Sequence, residues 1–321
     1  MKSNLFLGID TSNYTTSLSV VDEMGTRVWD LRIPLRVGEG KRGLRQQEAV
    51  FQHIKNLGEL AKTMDCLEGR VSVVAASSKP RMAEGSYMPV FEVSKNIGML
   101  LASALGACFV ETSHQRGHIR AALNLNDGIS EGFIGVHISG GTTEFVEYKW
   151  NKSFIKEVIV DKTLDISLGQ VIDRIGVEMG FPFPAGRWME QFLDVENKRS
   201  FEKKISYKSN RNSRGINLSG LETYLYRLYK ETDDKALVIR TAFENASRLL
   251  AEVGVDRCSE ASVADLLVCG GVASNRYIRE SVKKKLAESN VNGYFCAPGD
   301  CTDNAFGVAL IGRDHFEERC K

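Results

Sequence analysis

The sequence predicts an α/β protein built from two related halves, and three observations carry that prediction. The first is a repeat. Phe133 to Tyr148, FIGVHISGGTTEFVEY, matches Phe6 to Val21 at a constant offset, so that Gly8, Ser12, Thr15 and Thr16 fall on Gly135, Ser139, Thr142 and Thr143. Two stretches in register point to internal duplication. The second is alternation: apolar β-branched runs such as VSVVAAS from Val71 and ADLLVC from Ala264 are separated by helical patterns, which indicates parallel elements in an α/β architecture. The third is size. A chain of 321 residues, 43% hydrophobic and 26% charged, is long enough for two domains.

Each copy of the repeat is an apolar run, a Ser/Thr/Gly/Asn elbow and an alternating run, the pattern of a β-hairpin. Such an elbow exposes backbone N–H groups that bind anionic oxygens. In the second copy Gly140 and Gly141 remove the Cβ atoms that would hold a ligand off the backbone. The two elbows together predict a cleft between the halves, with the site in it.

After the first hairpin a short strand is expected near Thr26 to Ile33. Five basic residues between Arg36 and Lys55 then mark a loop leading into an amphipathic helix from about Gln46 to Thr63, either a solvated cationic face or a binding surface. The strand from Val71 is followed by a polar loop punctuated by Pro80 and Pro89. A helix ends at Gly106 and the strand ACFVE follows it. Ser113 is a good N-cap, so His114 and His118 lie four apart in the first turns of one helix and point the same way. That spacing supplies two imidazoles to one metal ion, and it serves surface and capping histidines equally well. Asp303, after a loop and before an apolar helix, is a candidate third ligand and also a favourable charge at a helix start.

In the second half, a helix from about Leu168 to Met179 carries Asp173 in its middle, and the turn GFPFPAG releases the backbone at Gly186 with Glu190 four residues on; a polar pocket is plausible there. The segment from Asn197 to Tyr224 is the most basic and least periodic of the chain. Its Lys, Arg and Asn with Phe201 and Tyr207 can bind phosphates and stack bases, or form a charged insertion. Two long helices follow, Tyr224 to Lys230 and Lys235 to Val255. A buried strand then leads into Gly270, Gly271 and Asn275 at its carboxyl edge, the usual ligand position in open α/β sheets.

Composition narrows the function classes. A net charge of +1 argues against a globally basic nucleic-acid binder. No apolar run approaches the ~20 residues of a membrane span, and the start lacks the order of a secretory signal, so a cytoplasmic protein is expected. The seven cysteines are odd in number and scattered, which predicts reduced thiols; Cys296 and Cys301 lack the second pair that a zinc site would need.

In order, GIDTS, SHQRGHIRAA, HISGGTT, LGQVIDR with PFPAG, LSGLET, CGGVASN and CTDNA resemble the motifs of the tRNA threonylcarbamoyladenosine transferase family, the TsaD or Gcp-like proteins once labelled O-sialoglycoprotein endopeptidases. The resemblance spans nearly the whole chain. It implies a duplicated actin-like ATPase fold, shared with sugar kinases and Hsp70: an N-terminal lobe at 1–125 and a C-terminal lobe at 126–321 with a basic insertion around 195–220. It implies transfer of a threonylcarbamoyl group from threonylcarbamoyl-AMP to N6 of the adenosine beside the tRNA anticodon, with one bound iron or zinc. It assigns the metal to His114, His118 and Asp303. It assigns the nucleotide, as acyl-adenylate, AMP or ATP, to His137, Ile138, Ser139, Gly140 and Gly141, with Asp173, Gly186 and Asn275, and Glu190 at an acidic ribose contact, beside the Gly270 and Gly271 already read at the strand edge. No catalytic Ser or Cys is needed, because the tRNA supplies the nucleophile. The glycoprotease label fits poorly, since HxxxH here lacks the glutamate of HExxH.

The departures are specific. Thr142 stands where the family has a histidine, Ile166 and Gln170 where it has carboxylates, Glu222 where it has a lysine, and Ser77 to Arg81 where it has a glycine-rich loop. They leave room for two other roles: action on a small molecule, or a non-catalytic partner that dimerises with a paralogue or with itself.

Overall fold

A computed structural model of the chain describes residues 3–12, 14–38, 44–64, 67–196, 210–212 and 215–319. Most of the basic insertion, with Phe201 and Tyr207, lies outside the described residues, as do Cys66 and Cys320. In chain order the first elements are β1 (Asn4–Ser12), β2 (Thr15–Val21), β3 (Arg27–Pro34), α1 (Gln46–Lys62), β4 (Arg70–Lys79), α2 (Phe91–Leu105), β5 (Cys108–Ser113) and α3 (His114–Leu123). Then come β6 (Gly132–Ile138), β7 (Thr143–Trp150), β8 (Phe154–Lys162), α4 (Leu168–Glu178), α5 (Gly186–Glu196), the short pair β9 (Asn210–Asn212) and β10 (Gly215–Asn217), α6 (Ser219–Thr232) and α7 (Lys235–Ala261). The chain finishes with β11 (Asp265–Cys269), a 3-10 turn over Gly271–Ser274, α8 (Arg276–Ala287), β12 (Asn292–Phe295), the single turn α9 (Pro298–Cys301) and α10 (Phe306–Arg319).

Contacts divide these elements into two units, Met1–Leu125 with Thr302–Lys321, and Asn126–Cys301. The first has a five-stranded sheet in the order β3-β2-β1-β4-β5, with β1 antiparallel to β2 and parallel to β4. Alternate residues of β1 serve its two faces. Leu5, Leu7 and Ile9 pack with Val74, Ala76, Leu60 of α1 and Ala102 of α2, whereas Phe6 packs with Val73, Ala121 of α3 and Phe306, Ala309 and Leu310 of α10. Each fully buried side chain of this size contributes roughly 1.5–3 kcal/mol. The second unit repeats the plan, with order β12-β11-β6-β7-β8, β6 antiparallel to β7 and parallel to β11.

Local signals set the element ends. α2 stops at Gly106, which takes φ +62°, a left-handed C-cap that glycine adopts without strain. Ser113 caps α3 by accepting from the Arg116 N–H, and α4 begins in a reciprocal capping box between Ser167 and Gln170.

The expected division at 126–321 needs one correction: Thr302–Lys321 belongs with the first unit. α10 returns to the first sheet because glycines let it approach at backbone distance. A Cβ on Gly8 would strike Ala305 and Ala309, and one on Gly307 would strike the backbone of Gly117 in α3. The buried Arg120–Asp314 pair, Nε to Oδ2 2.5 Å and Nη2 to Oδ1 3.1 Å, then locks α3 to α10. No helix among the described residues is long and apolar enough to cross a membrane.

Candidate functional site

In the first unit the seating of α10 carries Asp303 to the start of α3. His114 Nε2 lies 3.4 Å from Asp303 Oδ1, His118 Nε2 lies 3.7 Å from the same oxygen, and the two Nε2 atoms are 3.1 Å apart. These three atoms form a cluster able to hold a metal ion. Tetrahedral ligands at about 2.0–2.2 Å from a metal stand roughly 3.3–3.6 Å from one another, close to the spacing here. Four-residue spacing on α3 makes the histidines neighbours, as the sequence leads one to expect.

The sequence did not single out Asp10, at the end of β1. It is fully buried, and its Oδ2 lies 2.7 Å from His114 Nδ1 while Oδ1 accepts from the Ser12 N–H at 2.8 Å. Holding the proton on Nδ1 leaves Nε2 of His114 facing the cluster. Burial works against a charge on His114, but Asp10 and then Asp303 overcome it and raise its pKa to about 10. His118 moves the other way, lowered by burial and by the charge on His114. Burial opposes ionisation of Asp303, yet hydrogen bonds from both histidines hold it well below the usual carboxylate range. One signal for Asp10 was available: it holds the same place in the first hairpin as His137 in the second.

In the second unit the Ser139–Gly141 elbow closes through Ser139 N–H to Thr142 O at 2.8 Å. It sits against α4 and the Gly270 turn. Ser167 Oγ donates to Gly140 O at 3.0 Å, and Cβ atoms on Gly169 or Gly270 would strike the backbones of Ser139 and Ile138. Gly141 and Gly271 face open space, and Asp173 Oδ2 is 3.9 Å from where a Gly140 Cβ would stand. Asp173 Oδ1 accepts from Ala185 N–H at 2.8 Å, and burial raises its pKa to about 6 against the pull of the Ala185 and Gly186 amides. His137, Ile138, Ser139, Gly140, Gly141, Asp173, Gly186 and Gly270 are thus neighbours in one unit. His137 is buried with its Nδ1 3.9 Å from Cys269 Sγ.

Asn275 caps α8 through Oδ1, which accepts from Ile278 N–H at 3.0 Å, and its buried Nδ2 has no partner among the described residues. Glu190 Oε1 accepts from Arg276 N–H at 2.7 Å. Burial raises its pKa despite that bond and the Arg276 charge. Beside them a pocket of about 590 Å³ is lined by Glu190, Leu193, Asp194, Glu244, Arg276 and Tyr277, among others. Glu244 and Tyr277, joined by a 2.8 Å hydrogen bond, were not singled out by the sequence, because no local pattern marks a pocket wall made from two helices.

The unusual positions have structural partners. Gln170 completes the capping box of α4, Glu222 pairs with Arg174 at 3.3 Å, Thr142 N–H donates to Ser139 Oγ at 3.1 Å, and Pro80 O accepts from Gln115 N–H at 3.0 Å, which ties the Ser77–Arg81 loop to α3.

Comparison with known proteins is consistent with this plan. Residues 47–310 match the family described as TsaD, tRNA N6-adenosine threonylcarbamoyltransferase. A tRNA N6-adenosine threonylcarbamoyltransferase of Thermotoga neapolitana is 27% identical over 313 residues, 95% of this chain and 92% of that one. Among solved structures, full-length HypF in its phosphate- and nucleotide-bound form superimposes with a TM-score of 0.59 at 15% identity, over 98% of this chain and 47% of HypF, so the chain spans about half of that protein. The activator of 2-hydroxyisocaproyl-CoA dehydratase from Clostridium difficile, with bound ADPNP, gives 0.53 at 16% identity over 99% and 97%. These likenesses establish the fold, which is the actin-like, sugar-kinase type. With a family match over most of its length and relatives aligned nearly end to end, the chain belongs to the TsaD family of acyltransferase-type enzymes.

Proposed function

We propose that the protein transfers a threonylcarbamoyl group from threonylcarbamoyl-AMP to N6 of an adenosine in tRNA, with a divalent metal at His114, His118 and Asp303. The convergence of two imidazole nitrogens and one carboxylate oxygen within 4.8 Å carries the proposal. Two imidazoles and a carboxylate suit iron(II) or zinc, and Asp10 is the carboxylate partner that metal-bound histidines usually have. When bound, such an ion supplies Lewis-acid polarisation of a carbonyl oxygen.

The residues of the second unit fit an adenine nucleotide. The open elbow at Gly140 and Gly141 offers backbone N–H groups without obstructing Cβ atoms, and Asn275 Nδ2 is a buried donor in need of an acceptor, which a phosphate oxygen provides. The pocket beside Glu190 and Tyr277 is large enough for a nucleoside, within the usual ~300–1,000 Å³. Nucleotides in HypF and in the dehydratase activator agree with this use of the fold. The acceptor is inferred from the activity named for the relatives. Complementation of a strain lacking its own transferase, with nucleoside analysis of the tRNA, tests the whole reading. A folded protein that restores no threonylcarbamoyladenosine overturns it.

A second reading has its own observation. Phe51 and Ile54 of α1 and Met99 and Leu100 of α2 are 69%, 59%, 47% and 64% exposed, apolar side chains on two helices that suit pairing with a paralogue or a second copy. Sedimentation of the purified chain alone and with a candidate paralogue checks it; a monomer in both cases counts against it.

A further inference from the structure

We propose that Cys296 and Cys301 form an oxidisable dithiol that a hydroperoxide converts to a disulfide, altering the Gly271–Ser274 turn through Arg279. Both cysteines are fully buried free thiols, Cys296 directly after β12 and Cys301 at the end of α9. The helical turn over Pro298–Cys301, with Cys301 N–H donating to Ala297 O at 3.0 Å, folds the second cysteine back over the first. Cys301 Sγ donates to Cys296 O at 3.4 Å, so the second sulfur sits against the first residue's own backbone. The two thiols also interact side chain to side chain, so the turn has already brought the sulfurs together.

Arg279 makes the pair consequential. One nitrogen, Nη2, reaches Cys301 Sγ at 3.4 Å, Cys296 O at 2.7 Å and Ala273 O at 2.9 Å. One guanidinium therefore joins both cysteines to the turn that precedes Asn275. The balance is simple. A thiol reduces the hydroperoxide ROOH to ROH and becomes a sulfenic acid, and the second thiol displaces water to close the disulfide. Two electrons pass from the sulfurs to the peroxide oxygen, and the thiol protons leave in the alcohol and the water. Bridging turns Cys301 Sγ from a thiol into a disulfide sulfur, a poorer acceptor, so the guanidinium is weakened at one of its three acceptors.

The inference rests on the site geometry of the second unit and not on the identity of its ligand. The test is treatment of the full chain with stoichiometric cumene hydroperoxide, disulfide mapping by mass spectrometry, and hydrogen exchange of the amides in 270–279 before and after. Expected are a Cys296–Cys301 linkage, reversed by dithiothreitol, and altered exchange in that segment. AMP affinity should weaken about fivefold or more, the lower range of site-to-site coupling. Cys301→Ser should keep its melting temperature and lose the response, while Cys108→Ser should respond like the parent. A linkage that joins Cys269 instead, an unoxidised pair, or a linkage without change in exchange overturns the proposal. Absence of AMP binding in the reduced protein would refute the nucleotide assignment alone, since mapping and exchange do not depend on it.

Discussion

The two units hold the same hairpin, yet the residues at matching places do opposite things. In the first, Asp10 at the end of β1 is buried against His114, and His114, His118 and Asp303 form a closed set of polar groups satisfying one another. In the second, His137 takes Asp10's place in the repeat, and the elbow beyond it opens at Gly141 onto space, with Asn275 Nδ2 left without a partner among the described residues. A duplicated scaffold supplies position. The substituted side chains decide whether that position gathers ionisable groups or opens onto space.

The comparison breaks most violently at the joint that builds the first site. Arg120→Ala removes the pair between α3 and α10 and leaves buried Asp314 with only Arg313, 3.9 Å away, so the loss should approach the about 3–5 kcal/mol of a broken buried pair. Urea unfolding should reveal that loss together with failed metal uptake, and an unchanged midpoint would mean that the pair does not hold α10. Next in size, His118→Ala should lower zinc or iron affinity more than about 100-fold, beyond the range set by partners of metal ligands. Metal content near that of the parent would remove His118 from the ligand set. Asp10→Ala, which frees His114 to turn, should cost about 10–100-fold by the same titration.

On the other side, Asn275→Asp keeps the oxygen that caps α8 and replaces an orphaned donor with an acceptor. AMP affinity should fall about tenfold with the melting temperature nearly unchanged, by calorimetry and thermal denaturation, because one charge-assisted hydrogen bond is worth close to that factor. Equal affinity would place the phosphate elsewhere.

The smallest effect separates the units by sign of pH response. His53 in the first unit is fully buried, its Nδ1 2.9 Å from Thr16 Oγ1, and burial lowers its pKa from 6.5 to about 4. The unfolded chain takes up its proton first, so this contribution is present above pH 6.5 and is lost as pH falls toward 4. Asp173 in the second unit is raised from 3.8 to about 6, so its contribution is present below pH 3.8 and is lost as pH rises through 6. Stability curves of His53→Gln and Asp173→Asn, measured against the parent between pH 4 and 7, should deviate at opposite ends; deviation in the same direction refutes one of the two assignments.

What could be read in advance was local. The elbow glycines, the Ser113 cap and the four-residue step from His114 to His118 follow from neighbours in the chain; α1 begins and ends within a residue of the expected places, α2 stops at the expected Gly106 and α3 starts after the expected cap. Harder cases had partners far away. Gln170 reads as a lost carboxylate until its reciprocal cap with Ser167 is seen, and Glu222 reads as a reversed charge until Arg174 meets it.

The sequence by itself determined the α/β plan, its duplication and the family, because hairpin periodicity, helix caps and ordered motifs are properties of short segments. Only the tertiary structure decided that the last helix joins the first sheet, and hence that Asp303 reaches His114 and His118 while Asp10 stands behind them. The physical reason is close approach: glycines at 8, 117 and 307 permit backbone contact between elements separated by most of the chain, and no local pattern encodes which distant surface will fill that space.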